Sequence, residues 1–196
     1  MLSQKQKIVK RGFDLILTLA ILPIVIFPLI LLWLLSSFST GRNGWFVQKR
    51  IGINGSLFSF YKLRTLKGKN HKDILEIKNS ETPFGRWLRH TKLDEIPQIF
   101  NVFFGTMSWV GPRPDIPGYA DKLMGEDRII LTIKPGITGP ATIKYKNEDK
   151  LLLEQENPLE YNDNVIWPDK VKINKKYVSN WSLSKDIGYL WQSLFN

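Results

Sequence analysis

The sequence LILTLAILPIVIFPLILLWLL, residues 15–35, decides the fold of this chain, because all of its residues are apolar or nearly so. About 20 such residues are what a helix needs to cross the hydrocarbon core of a bilayer. A cleaved signal peptide is a poor alternative, since the apolar run is long and no small-x-small cleavage site follows it. The run therefore predicts an N-terminal membrane segment.

Two features favour a membrane segment that enters and leaves on the same side. Pro23 and Pro28 lie inside the run, and each proline removes a backbone donor and disfavours a continued helix. Both flanks are also basic, and basic flanks favour the cytoplasmic side of a membrane. The flanking cations are Lys5, Lys7, Lys10, Arg11, Arg42, Lys49 and Arg50. We predict a re-entrant helix over residues 1–40, broken near Pro23; a single spanning helix is the alternative that length alone supports.

The composition narrows the classes of function. The 196 residues suffice for one compact domain and an appendage. The chain has no cysteine, which excludes disulfides and thiolate metal sites, and the spacing of His71 and His90 is not that of a zinc site. A net charge of +10 indicates an anionic partner: nucleic acid, anionic lipid or a phosphate-rich substrate.

The segment WFVQKRIGINGSLFSFYKLRT, residues 45–65, predicts two strands joined at Asn54-Gly55, a strong signal for a hairpin. Alternation along the second strand puts four residues on one face: Phe58, Phe60, Lys62 and Arg64. Cations beside aromatic rings suit phosphates, nucleic acid or lipid headgroups. A solvated strand face is the alternative.

Adjacent carboxylates, Asp94 and Glu95, stand in TKLDEIPQIFNV, residues 91–102. One interpretation is structural: Asp94 is the N-cap of a helix, and Glu95 complements the helix dipole. The other is chemical, because neighbouring carboxylates can act as a nucleophile and as a ligand of a divalent cation.

The chemical interpretation needs cations that offset the charge of an anionic phosphate under attack by a carboxylate. Lys62, Arg64 and Arg89 are the candidates for this role. The basic surplus and the acidic pair then belong to one site.

A stiff turn follows in GTMSWVGPRPDIPG, residues 105–118. Pro112 and Pro114 fix the backbone on both sides of Arg113, so this arginine has little backbone freedom to lose on binding an anion. An ordinary turn with an exposed arginine is the alternative.

Two further acidic residues have structural interpretations. Asp14 lies just inside the apolar run, where we expect it to pair with Arg11 at helical spacing and to act as an anchor. Asp186 lies in SLSKDIGYLWQSLF, residues 182–195, and is expected to be an ordinary carboxylate in the first turn of a helix. The apolar side of that helix predicts either an in-plane amphipathic helix or core packing.

Taken in order, these motifs resemble the bacterial sugar transferases of the monotopic phosphoglycosyl transferase family. The resemblance covers nearly the whole chain and is carried by KRGFD (10–14), QKRIGINGSLFSFYKLRT (48–65), GRWLRHTKLDEIPQIFNVFFGTMSWVGPRP (85–114), KPGITG (134–139) and YVSNWSLSKDIGYL (177–190). It implies an α+β, membrane-associated monotopic fold with a re-entrant helix broken at Pro23, a small β-hairpin and several short helices, some of them in-plane and amphipathic. Residues 41–196 would form a catalytic domain on the cytoplasmic side of the bacterial inner membrane.

The resemblance also implies an activity. Such enzymes transfer a sugar 1-phosphate from a nucleotide sugar, by family habit a UDP-sugar, to polyprenyl (undecaprenyl) phosphate, and they release the nucleoside monophosphate. This reaction is the first membrane step of glycoconjugate biosynthesis.

Residue roles carry over by position. Asp94 would be the nucleophile, and Glu95 would bind the required Mg²⁺. The active site would also contain Lys62 and Arg64, together with the turn Pro112, Arg113 and Pro114.

The chain departs from the family pattern at three places. Leu22 stands where relatives often have serine, Pro140 follows GITG in place of the common tryptophan, and His90 stands where arginine is common. By this resemblance we expect a minimal catalytic form, without the extra N-terminal membrane domain of larger members.

The alternative function is a membrane-tethered basic module that binds anionic lipid or nucleic acid. An enzyme of this family would instead have a nucleotide-sugar donor, a polyprenyl phosphate acceptor and a lipid bilayer as partners, and no nucleic acid. A homodimer stays open, as do the sugar and the pathway.

Overall fold

The computed structural model describes residues 1–68 and 79–195. Its helices are α1 (Gln4–Thr40), α2 (Pro83–His90), α3 (Gln98–Phe103), α4 (Pro140–Lys144), α5 (Glu148–Leu153), α6 (Pro158–Tyr161), α7 (Trp167–Ser179) and α8 (Leu183–Phe195). Its strands are β1 (Trp45–Ile51), β2 (Leu57–Leu63), β3 (Ser108–Val110) and β4 (Gly136–Thr138). The prediction of a fold that mixes helices and strands is confirmed.

The predicted hairpin is present. β1 and β2 pair with each other across a tight turn at Ile53–Gly55. Asn54 and Gly55 have φ angles of 57° and 81°, the left-handed conformation that glycine and asparagine tolerate best. This local preference explains why the reversal occurs at Asn54-Gly55.

Helix α1 is long and apolar enough to cross a membrane, with a mean hydropathy of 3.0 in its most apolar window and only 11% of that window buried. This fits a membrane location. Pro23 and Pro28 lie inside α1, and neither interrupts the helix. Apolar membrane helices tolerate proline when other groups satisfy the freed backbone carbonyls. The re-entrant path and its bend at Pro23 therefore stay a prediction.

The chain divides into two compact units. The first comprises Met1–Asp14, Arg50–Phe58 and the described residues from Gly105 onward. The second comprises Leu15–Lys49 and the described residues of Ser59–Phe104. The predicted boundary at residue 40 separates a membrane segment from a catalytic domain, which is a different kind of division, and it stays a prediction.

A buried ion pair organises the first unit. Lys10 Nζ lies 2.6 Å from Asp186 Oδ2 and donates to the Val110 carbonyl at 2.8 Å. Tyr177 and Trp181 also donate to the Asp186 carboxylate, at 2.7 and 2.9 Å. Asp186 lies in the first turn of α8, as expected, but it is 0% exposed, so the expectation that it is no more than a first-turn carboxylate is wrong. The carboxylate instead joins the start of α1 to β3, α7 and α8.

Asp14 provides a second attachment of α1 within this unit. Its Oδ1 accepts from the Ser108 hydroxyl at 2.9 Å and from the Trp109 backbone N–H at 3.0 Å, so its described partners lie on β3. These bonds agree with the predicted anchoring role.

Glycines hold the proline-rich turn in place. β3 and β4 are parallel, with Ser108 opposite Gly136. The Gly111 N–H donates to the Thr138 carbonyl, and the Gly136 N–H donates to the Pro112 carbonyl, both at 2.8 Å. A Cβ on Gly136 would collide with the backbone of Gly111. These backbone bonds from the KPGITG segment therefore hold the turn that carries Arg113 in position.

Replacing Lys10 by methionine should strongly destabilise the fold, because Asp186 would keep a buried charge without its cation. Breaking a buried pair in this way costs about 3–5 kcal/mol. The free energy of unfolding in detergent measures the effect. Lys7→Met, at an exposed position of the same helix, is the matched control and should leave stability unchanged. Equal losses from the two variants would contradict the importance of the pair.

Candidate active site

Lys62 bridges the two adjacent carboxylates. Its Nζ lies 2.8 Å from Glu95 Oε1 and 3.5 Å from Asp94 Oδ2. The side chains of Lys62, Asp94 and Glu95 are 21%, 7% and 12% exposed, so all three charges are largely removed from water. The structure therefore brings together three of the residues that the sequence predicted for the site.

The backbone around the carboxylates is set by a left-handed residue and a proline. Lys92 has φ 59°, a conformation that reverses the chain after α2, and a tight turn at Leu93–Glu95 follows. The cap position of α3 is Pro97, with no side-chain cap bond. The hypothesis that Asp94 caps the helix is therefore wrong, because this turn places its carboxylate beside Lys62.

Asn101 holds strand β2 against α3. Its Nδ2 donates to the Ser59 carbonyl at 2.7 Å, and its Oδ1 accepts from the Tyr61 N–H at 3.1 Å. The side chain of Asn101 thus makes two hydrogen bonds of the kind that a neighbouring strand would make to β2. These bonds fix the backbone of Tyr61, the residue before Lys62. Sequence analysis missed this residue; the available signal was an asparagine inside the apolar run IFNVFF.

Burial raises the pKa of Asp94 above its ordinary value of 3.8. Lys62 opposes that rise more than any other charge, the neighbouring Glu95 reinforces it, and Arg89 and Lys92 lower the pKa further. A raised pKa in a partly enclosed carboxylate is typical of a functional site.

The other predicted cations have different surroundings. Arg64 donates to the backbone carbonyls of Asn43 and Trp45, at 2.8 and 3.1 Å. Arg89 lies 3.5 Å from Glu81 and acts on Asp94 through its charge. Substrate binding by Arg64 and Arg89 stays a prediction.

The turn Pro112–Pro114 lies in the first unit, where it lines a cavity of about 20 Å³. This is room for about one water. Arg50 donates to the Pro114 carbonyl at 3.2 Å, which fixes the turn from outside. Asp115, two residues after Arg113, also lines the cavity, and burial raises the pKa of Asp115 to about 7. No sequence signal pointed to Asp115, and the predicted role of Arg113 in substrate binding stays a prediction.

Within residues 1–68 and 79–195, no group of three or more histidine, aspartate or glutamate side chains forms a ready-made metal cage. Mg²⁺ is commonly held by one or two carboxylates together with substrate phosphates. Asp94 and Glu95 fit that pattern. A metal ion bound by Glu95 would share this carboxylate with Lys62.

Asp94→Asn should stabilise the fold at neutral pH. The pKa of Asp94 is higher in the folded state than in the unfolded state, so the folded protein binds the proton more tightly. This favours folding at low pH, and the benefit is lost as pH rises through the folded pKa. Asparagine carries no charge to desolvate, so its advantage in the free energy of unfolding should be present at neutral pH and vanish towards pH 3.8.

The matched control is Asp127→Asn, at a half-exposed carboxylate that pairs with Lys175 at 2.7 Å on the surface. This control should not gain stability. If Asp94→Asn loses stability at neutral pH, the assignment of Asp94 as a destabilising functional residue is contradicted.

Three curated proteins are similar to this chain in sequence. An undecaprenyl-phosphate galactose phosphotransferase of Salmonella typhimurium is 29% identical over 97% of this chain and 40% of that protein. The uncharacterised sugar transferase EpsL of Bacillus subtilis is 32% identical over 93% of this chain and 84% of that protein. A UDP-glucose:undecaprenyl-phosphate glucose-1-phosphate transferase of Klebsiella pneumoniae is 34% identical over 95% of this chain and 39% of that protein.

Several of these curated relatives are much longer than the matched region, and the chain spans about two fifths of the Salmonella and Klebsiella proteins. The family model for bacterial sugar transferases matches residues 5–196. This match covers the apolar helix, the hairpin, the paired carboxylates and the proline-rich turn. The chain belongs to the bacterial sugar transferase family.

Proposed function

We propose that the chain is a phosphoglycosyl transferase. It moves a sugar 1-phosphate from a UDP-sugar to undecaprenyl phosphate and releases UMP. The observation that carries the proposal is the buried group of Asp94, Lys62 and Glu95, in which one cation serves two carboxylates. The names of the Salmonella and Klebsiella relatives, which describe transfer to or from undecaprenyl phosphate, support the same acceptor.

In the first half-reaction, a carboxylate oxygen of Asp94 attacks the sugar-bearing phosphorus of the donor. A bond from aspartate to phosphorus forms, the bond from phosphorus to the bridging oxygen breaks, and UMP leaves with that electron pair. Lys62 reduces the repulsion between the attacking carboxylate and the anionic phosphate. Its side chain is already in place, 3.5 Å from Asp94.

Glu95 is the residue that would hold Mg²⁺, by its charge and by its position next to the nucleophile. When bound, the metal would neutralise negative charge on the diphosphate of the donor. Lys62 donates to Glu95 at 2.8 Å and so orients this carboxylate in the protein itself.

In the second half-reaction, a phosphate oxygen of undecaprenyl phosphate attacks the same phosphorus. The bond from aspartate to phosphorus breaks, and Asp94 leaves as a carboxylate. The product is undecaprenyl diphosphate sugar, and ping-pong kinetics result.

A membrane-bound acceptor explains the apolar helix. One substrate is soluble and the other is embedded in lipid, so the site belongs at the headgroup level. We place the protein in the bacterial inner membrane, with α1 re-entrant near Pro23 and residues 41–196 on the cytoplasmic side. The basic flanks of α1 support this orientation.

The exposed side of α8 supports the in-plane interpretation of this helix. Ile187, Trp191 and Leu194 are 52%, 65% and 77% exposed, whereas Leu190 packs against the core. Core packing alone leaves three large apolar side chains in water. A helix with one packed side and one exposed apolar side fits the surface of a bilayer.

The direct test is a panel of nucleotide sugars, supplied with undecaprenyl phosphate and Mg²⁺, in which release of the nucleoside monophosphate is measured. At least one UDP-sugar should release UMP. If no donor does so and the protein still binds anionic lipid, the alternative of a membrane-tethered binding module is favoured.

Asp94→Asn should lower turnover by about 10³-fold or more, because the amide cannot act as the nucleophile. Its melting temperature should be at least that of the unaltered protein, which separates loss of chemistry from loss of fold. If the protein is instead a binding module, it has no turnover, and its Asp94→Asn variant should bind anionic vesicles as tightly as the unaltered protein.

Lys62→Met should shift the acidic limb of the pH–rate profile to higher pH. Lys62 lowers the pKa of Asp94, so without this cation the nucleophile stays protonated up to a higher pH. Lys62→Arg keeps the charge and should shift the limb less. An unshifted acidic limb in Lys62→Met would show that Lys62 does not control the ionisation of Asp94.

A further inference from the structure

The carboxamide of Gln98 is buried without a partner. Gln98 is the first residue of α3 and is 0% exposed. Among the residues that the structure describes, neither its Nε2 nor its Oε1 has a hydrogen-bond partner. Buried amides in proteins are almost always hydrogen-bonded, and an unbonded one costs stability. A glutamine at this position therefore needs an explanation other than packing.

The position of Gln98 aligns it with the candidate site. Backbone bonds in this segment join residues three apart, for example Ile96 N–H to the Leu93 carbonyl and Ile99 N–H to the Ile96 carbonyl. The helical path continues into α3, and residues three apart on a helix lie on the same side. Glu95, Gln98 and Asn101 therefore form a row along one side of this segment.

Both ends of this row contact strand β2. Glu95 bonds to Lys62, and Asn101 bonds to the backbone of Ser59 and Tyr61. The opposite side of the segment is apolar and packs into a hydrophobic cluster through Leu93, Ile96 and Phe100. Gln98 therefore lies on the polar side of the segment. It stands between Asn101, which bonds to the backbone of β2, and Glu95, which bonds to Lys62.

We propose that Gln98 is a further substrate-contacting residue, whose Nε2 donates to a phosphoryl oxygen of the phosphosugar carried by Asp94. The inference rests on the proposed function. A phosphoryl oxygen can only accept hydrogen bonds, and an amide nitrogen supplies a donor. Asp94 is itself only 5% exposed, so a phosphoryl group bonded to its carboxylate would lie against interior side chains. A neutral donor stabilises that group without adding a second cation beside Lys62.

The test pairs a stability measurement with a kinetic one. Gln98→Met removes the unpaired amide at similar side-chain length, so the melting temperature should stay the same or rise. The rate of UMP release in a single turnover should fall about tenfold or more. Gln98→Glu keeps the size but replaces the donor with an acceptor, and it should lose the same activity.

Asn101→Leu is the matched control, because the amide of Asn101 is bonded at both of its ends. Its melting temperature should fall. A comparable fall for Gln98→Met, or a failure to fold, would overturn the proposal by showing that the amide of Gln98 is structural. Unchanged single-turnover kinetics in Gln98→Met would also overturn it.

The unaltered protein separates this inference from the proposed function. If it releases UMP and Gln98→Met does so equally fast, only the role of Gln98 is wrong. If it releases no nucleoside monophosphate from any donor, the proposed function fails, and this inference fails with it.

Discussion

The structure depends on a cation that is shared between two neighbouring carboxylates in a largely buried place. Lys62 contacts both Asp94 and Glu95, at 3.5 and 2.8 Å, and all three side chains are largely buried. Burying such a group costs free energy, and a well-packed apolar replacement is often more stable. Under the proposed function these charges have a chemical role, because the attack of a carboxylate on an anionic phosphate needs an ionised nucleophile and a cation beside it.

The surrounding segments keep this geometry fixed. Lys92 and Pro97 set the turn that directs the carboxylates, and Asn101 fixes β2 next to Lys62. In the first unit, the pair between Lys10 and Asp186 joins the start of the apolar helix to β3, α7 and α8. Within each unit, these polar contacts act together with the apolar clusters of the core.

The elements of the fold that depend on residues close together in the chain could be predicted from the sequence. The hairpin at Asn54-Gly55 and the apolar helix follow from local preferences, and the acidic pair with Lys62 followed from the chemistry of the motif. The sequence could not predict contacts between distant residues that no recognised motif marks. Lys10 and Asp186 are 176 positions apart, so the sequence did not show that this first-turn carboxylate is the centre of a buried network. The alternative interpretation of Asp94 as a helix cap is wrong because the sequence pattern does not show the turn at Lys92.

Covalent capture at residue 94 tests the central claim most directly. The protein is incubated with a UDP-sugar and Mg²⁺ without acceptor, quenched in acid, digested and analysed by mass spectrometry. The account predicts that the peptide containing Asp94 gains the mass of a sugar phosphate, and that added undecaprenyl phosphate removes it. An adduct of bare phosphate, an adduct at another residue, or no adduct in protein that is releasing UMP would contradict the account.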